Sequence, residues 1–225
     1  MAGRGRRCST IWWDLVDFVP ERATSETLQS SVDAISVAGG LAIVAHPEWS
    51  RQRGADLSGT GGAHILEVFN ATSEVREGNG VSTEQWNELL NRGERWFAIA
   101  SDDAHMLPGH DDCGRGWVMV KCAHLSEEAV LDSLLQGRFY STTGPRIEHL
   151  SVSADQVEAW SDAPFMLRVI MGGKQTETVA ALDRADHHSL AIRPGWTWLR
   201  VELEEADGGT AWGNPVFVSN LSAQH

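Results

Sequence analysis

Between Thr24 and Gly144 the hydrophobic period of this chain switches repeatedly between that of a helix and that of a buried strand, and few folds accept such alternation. Leu28, Val32 and Ile35 recur at helical spacing behind a Thr/Ser/Glu start, and Gly39-Gly40 follows where a helix C-cap belongs. Leu41-Ala-Ile-Val-Ala45 is then a short continuous apolar run of the kind buried on both faces in a parallel sheet. Ile65–Phe69 and Trp96–Ala100 repeat that texture, and Gly116–Val120 supplies a fourth strand. Ser82-Thr-Glu-Gln85 reads as a capping box opening a helix through Trp86, Leu89 and Leu90 to Gly93. Ser126 caps another that carries Val130, Leu131, Leu134 and Leu135 to Gly137. Strands alternating with helices predict a parallel α/β layout over residues 1–145.

After Pro145 the pattern changes to short alternating runs such as Met166–Ile170 and Thr197–Leu203, separated by Gly-, Asp- and Pro-rich turns. Residues 146–225 are therefore expected to form a second, antiparallel β domain, a small sandwich. The 225 residues suffice for one large or two compact domains. A net charge of −13 argues against nucleic acid as a partner. No run is long and apolar enough to span a bilayer, and the basic start Met1–Arg7 leads into a stretch cut by Asp14 and Asp17, unlike a signal peptide. Three cysteines without CxxC spacing predict neither a disulfide framework nor a thiolate zinc site, so a cytoplasmic protein is expected.

Three of the predicted strands run into residues able to bind metal. The first ends in Ala45-His46-Pro47, the second holds Glu67 and ends in Asn70, and the third ends in Ser101-Asp-Asp-Ala-His105. In parallel α/β folds such strand ends converge at one mouth. On an extended segment Asp103 and His105 would share a face and chelate one ion or bridge two. Imidazole with carboxylate suits zinc, manganese or iron, whose bound water ionises near neutral pH to give a hydroxide nucleophile. Asp102-Asp103 also reads as a turn cap. Arg115 is placed at the mouth as an anion contact, whereas Trp49 and Trp117 read first as packing. His110, with Asp111 beside it, is either a charge-relay or substrate group or part of a solvated loop, and His187-His188 is read as a solvated loop. No Gly-x-Ser-x-Gly elbow, P-loop or Gly-x-Gly-x-x-Gly is present.

Gly39–Pro47, Leu66-Glu-Val-Phe-Asn70, Ser101–His105 and Gly137–Pro145 together resemble the later motifs of the polymerase-and-histidinol-phosphatase (PHP) family, on its carbaryl-hydrolase-like branch. The likeness extends through Gly114–Trp117 and the tail Leu199–Pro215. It implies a (β/α)7 barrel with divalent metals at its mouth, followed by a small β domain, and hydrolysis of a small-molecule phosphate or carboxyl ester. By position, His46, Asp103 and His105 match metal ligands, and Glu67 matches a site-lining position. The family's earlier His-x-His, Thr-Asp-His and bridging Glu have no counterpart, since the 45 residues before His46 contain no histidine. The expectation is thus the back half of a barrel: a truncated hydrolase or, alternatively, a non-catalytic remnant that binds a ligand or partner. An open barrel edge would invite self-association, and Ile11-Trp-Trp13 with Phe18 is a candidate patch for it.

Overall fold

The computed structural model describes residues 28–106, 109, 111–173 and 176–218. His110 and the segment Ile11–Phe18 lie outside the described residues, so the readings made of them meet no structural observation here. The fold is mixed α/β with a predominance of strands.

Helix α1 (Leu28–Val37) leads to β1 (Ile43–Val44), the short helix α2 (Gly54–Leu57), β2 (Ile65–Asn70), helices α3 (Ala71–Glu77) and α4 (Thr83–Asn91), and β3 (Phe97–Ser101). The three strands form a parallel sheet in the order β1-β2-β3, as their uninterrupted apolar runs predict. The expected fourth parallel strand does not join it. Strand β4 (Trp117–Val120) pairs antiparallel with β5 (Phe139–Thr142) across helix α5 (Glu127–Leu135). A four-residue run of Trp, Val and Met satisfies either pairing, and only tertiary contacts choose between them.

Together with β6 (His149–Val152), β7 (Gln156–Gly172), β8 (Glu177–Ala180), β9 (Ala185–Ala191), β10 (Trp198–Glu205), β11 (Thr210–Gly213) and β12 (Val216–Phe217), these two strands form a nine-stranded antiparallel sheet, curled into a half-barrel. The 17-residue β7 is its spine. Its first half lies between β6 and β9 and its second between β10 and β8, with a register break between Trp160 and Phe165. Such an irregularity bends a strand so that one sheet can wrap a core. His187-His188 lies on β9 rather than in a loop, and the buried His188 ring is 2.8 Å from the Phe165 carbonyl oxygen.

Strand alternation gives the large sheet two apolar faces. Val157, Ala159, Phe165, Leu167 and Val169 of β7 meet Leu199, Val201 and Leu203 of β10 in one core. Ile170, Trp198, Trp212 and Phe217 point the other way, onto Trp86, Leu89, Leu90, Leu66 and Val68 of the parallel layer. Gly172 is required at this contact, because a Cβ there would lie 2.1 Å from the Trp198 indole. Arg200 crosses the interface fully buried, with Nε donating to Asn87 Oδ1 (3.0 Å), Nη1 to Glu202 (2.6 Å), and its guanidinium 4.8 Å from the Trp86 ring centre. Burial lowers its pKa and Glu202 opposes the shift. The edge of β3 is closed by side chains: Ala98 N–H donates to Asn214 Oδ1 (3.0 Å), and Ser141 Oγ donates to the Ala98 carbonyl (2.7 Å). The strand-end mouth is thereby fixed against the large sheet.

Cys113 is disulfide-bonded and Cys122 is a free thiol. Among the described residues no helix is long and apolar enough to cross a membrane.

Candidate functional site

The C-terminal ends of β1, β2 and β3 meet, as parallel topology requires, and Glu67 is their junction. The residue is 7% exposed. Oε2 accepts from the His46 backbone N–H (2.7 Å) and from Asn70 Nδ2 (2.9 Å), and Oε1 accepts from Ser101 Oγ. Asn70 Nδ2 also donates to Asp103 Oδ2 (3.2 Å), so one amide group joins the carboxylates of Glu67 and Asp103. Asn70 further caps α3, its Oδ1 accepting from Ser73 N–H. Residues distant in sequence thus share one hydrogen-bond network at the ends of three strands.

His46 and Asp103 both have left-handed backbone angles, with φ of 35° and 48°. Non-glycine residues pay for this conformation, and it persists only where surrounding structure imposes it. At His46 the constraint is the Glu67 bond together with the loop that follows. His46 Nδ1 is 2.8 Å from Ser50 Oγ, its ring packs edge-on at 5.0 Å against the exposed Trp49, and Glu48 N–H donates to Ser82 Oγ (3.1 Å). Gln85 Nε2 donates to Glu48 Oε2 (2.6 Å). The predicted capping box is therefore used differently: Ser82 makes no cap bond to α4, and both of its polar side chains hold the His46 loop.

At Asp103 the carbonyl accepts from Thr72 Oγ1 (2.7 Å), and Thr72 Oγ1 lies 3.1 Å from the buried Asp112 carboxylate, which also accepts the His105 N–H (3.1 Å). Because β3 ends at Ser101 and the chain turns at Asp103, the alternation expected to place Asp103 and His105 on one strand face does not operate. Both residues are exposed. Asp102 takes the turn-capping role read as its alternative: its carboxylate accepts from the N–H groups of Gly114 (2.5 Å), Arg115 (2.7 Å) and Gly116 (2.9 Å).

Arg115 sits beside this mouth, but its cation is already matched. Nε donates to the Asp111 carbonyl (2.6 Å) and Nη2 pairs with the Asp111 carboxylate. Glu67, matched by the resemblance to a site-lining position, has both oxygens engaged by internal donors. Asn70, Ser101, Thr72 and Asp112 complete the network. The signal for Asn70 was legible as an Asn opening the helix Ala71–Glu77; nothing local marks Asp112.

Imidazole and carboxylate donors at strand ends fit a divalent cation in kind. Among the described residues no three His, Cys, Asp or Glu side chains gather in one group. Comparison with protein-family models, with curated proteins and with solved structures found no match.

Proposed function

We propose that this mouth is one side of a metal-dependent hydrolase centre of the PHP type, with the parallel strands belonging to a (β/α)7 barrel and the substrate a small phosphate or carboxyl ester. The observation that carries the reading is the Glu67–Asn70 bridge, which ties the His46 backbone and the Asp103 carboxylate together while both residues hold costly backbone angles. His46, Asp103 and His105 are the residues that would hold zinc, manganese or iron. Such an ion, when bound, supplies a hydroxide near neutral pH. Glu67 and Asn70 are positioning residues, since they set the direction of the donors without touching substrate.

The pairing of the Arg115 guanidinium with Asp111 beside the mouth favours a second reading, a binding module without turnover. Titration of the full chain with Mn²⁺, followed by water-proton relaxation, tests both. The hydrolase reading expects saturable binding weakened at least about tenfold by Asp103→Ala and by His105→Ala, and chelator-sensitive hydrolysis of 4-nitrophenyl phosphate or 4-nitrophenyl acetate. Mutation-sensitive binding with neither ester hydrolysed selects the binding module. Stoichiometry below about 0.1 ion per chain, unchanged by either substitution, refutes the metal site.

A further inference from the structure

Away from the strand-end mouth, a cleft of about 430 Å³ opens between the β4–β5 pair and the segment leading into β6. That volume lies within the range of small-molecule sites. Met119 and Tyr140 are cross-strand partners, so they stand on one face of the sheet, and Phe139, Ile147 and Leu150 also line the cleft. Ile147, Leu150 and Tyr140 pack against the core beneath β7 and β10, which makes this apolar wall continuous with a rigid interior.

The lining is cationic in an acidic protein. Lys121, Arg138 and Arg146 face one carboxylate, Glu148, whereas the whole chain carries −13. Arg146 Nε lies 3.3 Å from Glu148, Arg138 pairs with Asp132, and Lys121 has no ion-pair partner among the described residues. Arg138 and Arg146 keep about half their side-chain surface exposed, so both pairs open at little cost to an incoming anion.

Tyr140, the only tyrosine in the chain, adds a neutral donor. Burial, with smaller contributions from Glu148 and Asp162, holds the phenol above its ordinary pKa against the opposing Ile147 amide and Arg146. It therefore stays protonated at neutral pH, and its own proton goes to no acceptor among the described residues.

We infer that this cleft binds a small amphiphilic carboxylate, its chain or ring on Met119, Ile147 and Leu150 and its head group between Lys121, Arg146 and the Tyr140 hydroxyl. Charge complementarity commits the site to an anion, and the apolar wall commits it to one with a hydrocarbon body. The inference is independent of the metal-site reading.

The test titrates the full-length protein with octanoate, 1-octanol and octylammonium, following backbone amide shifts. Octanoate is expected to move the amides of Met119, Tyr140, Ile147 and Leu150, with 1-octanol at least about tenfold weaker and octylammonium weaker still. Lys121→Glu and Arg146→Glu, both surface changes that leave the thermal midpoint in place, each weaken octanoate at least about tenfold. Tyr140→Phe weakens octanoate without changing octanol. Equal binding of octanoate and octanol, indifference to both charge reversals in proteins of wild-type thermal midpoint, or shifts confined to another surface would overturn the inference, as would no octanoate binding at millimolar concentration.

Discussion

Replacing Glu67 with glutamine and with leucine separates two roles of its side chain. The carboxylate accepts from three donors, the His46 N–H, the Asn70 amide and the Ser101 hydroxyl, and the residue is 7% exposed. Glutamine keeps an acceptor oxygen toward His46 and Asn70 if its amide nitrogen faces Ser101, whose oxygen accepts as readily as its hydroxyl donates. The loss is then the charge assistance alone, about 1 to 2 kcal/mol of stability. Leucine leaves the part-buried His46 N–H and Ser101 hydroxyl without this acceptor, and leaves the Asn70 amide with Asp103 alone. At about 1 to 3 kcal/mol for each stranded donor, with incomplete additivity, it should cost about 2 to 5 kcal/mol, a large share of the roughly 5 to 15 kcal/mol available to a domain. Urea unfolding followed by tryptophan fluorescence measures both changes, and the His46 amide shift reports whether the strand ends stay joined. A leucine variant within about 1 kcal/mol of wild type, or a glutamine variant as unstable as the leucine one, would refute the positioning role assigned to Glu67.

Arg200→Met should cost about 2 to 3 kcal/mol in urea unfolding, because it leaves the largely buried Glu202 with only Arg168, 4.0 Å away; Arg200→Met with Glu202→Leu should recover much of the loss. Gly172→Ala drives a methyl group into the Trp198 indole and is expected to destabilise by about 1 to 3 kcal/mol in the same assay, whereas a neutral result would mean that the two layers are not packed at this contact. Asp102→Asn removes the charge that gathers three consecutive N–H groups, so amide hydrogen exchange at Gly114, Arg115 and Gly116 should quicken while α4 is unaffected. Burial first, then Asp207 and Asp162, raises the Glu205 pKa in the folded protein above its ordinary value. The folded state therefore holds this proton more tightly than the unfolded chain, and stability falls as pH rises from the ordinary carboxylate pKa through the raised one. Glu205→Gln should consequently raise the thermal midpoint at pH 7, with the gain disappearing below the ordinary carboxylate pKa.

Periodicity alone determined much of the local structure. Leu28, Val32 and Ile35 form a helix, Ile65–Phe69 and Trp96–Ala100 form neighbouring parallel strands, and Ser126 caps α5 by accepting from Ala129 N–H. These features depend on contacts within a few residues or on burial of a whole run, which sequence spacing encodes. The meeting of His46, Glu67 and Asp103 was also foreseeable, because parallel strands deliver their C-terminal ends to one mouth. Other outcomes depended on partners far along the chain. The run Trp117–Val120 suits either sheet, and its antiparallel partner β5 decides for the large one. Ser82 and Gln85 match a capping box, yet Glu48 draws both away. Asp102-Asp103 could be read as a turn cap or as part of a strand-end ligand pair, and the bonds that hold Asp103 in a turn come from Asn70 and Thr72, far along the chain. Glu67 gives no local sign of its bonds either: Ser101, Asn70 and the His46 N–H, which engage its carboxylate, are brought to it only by the fold.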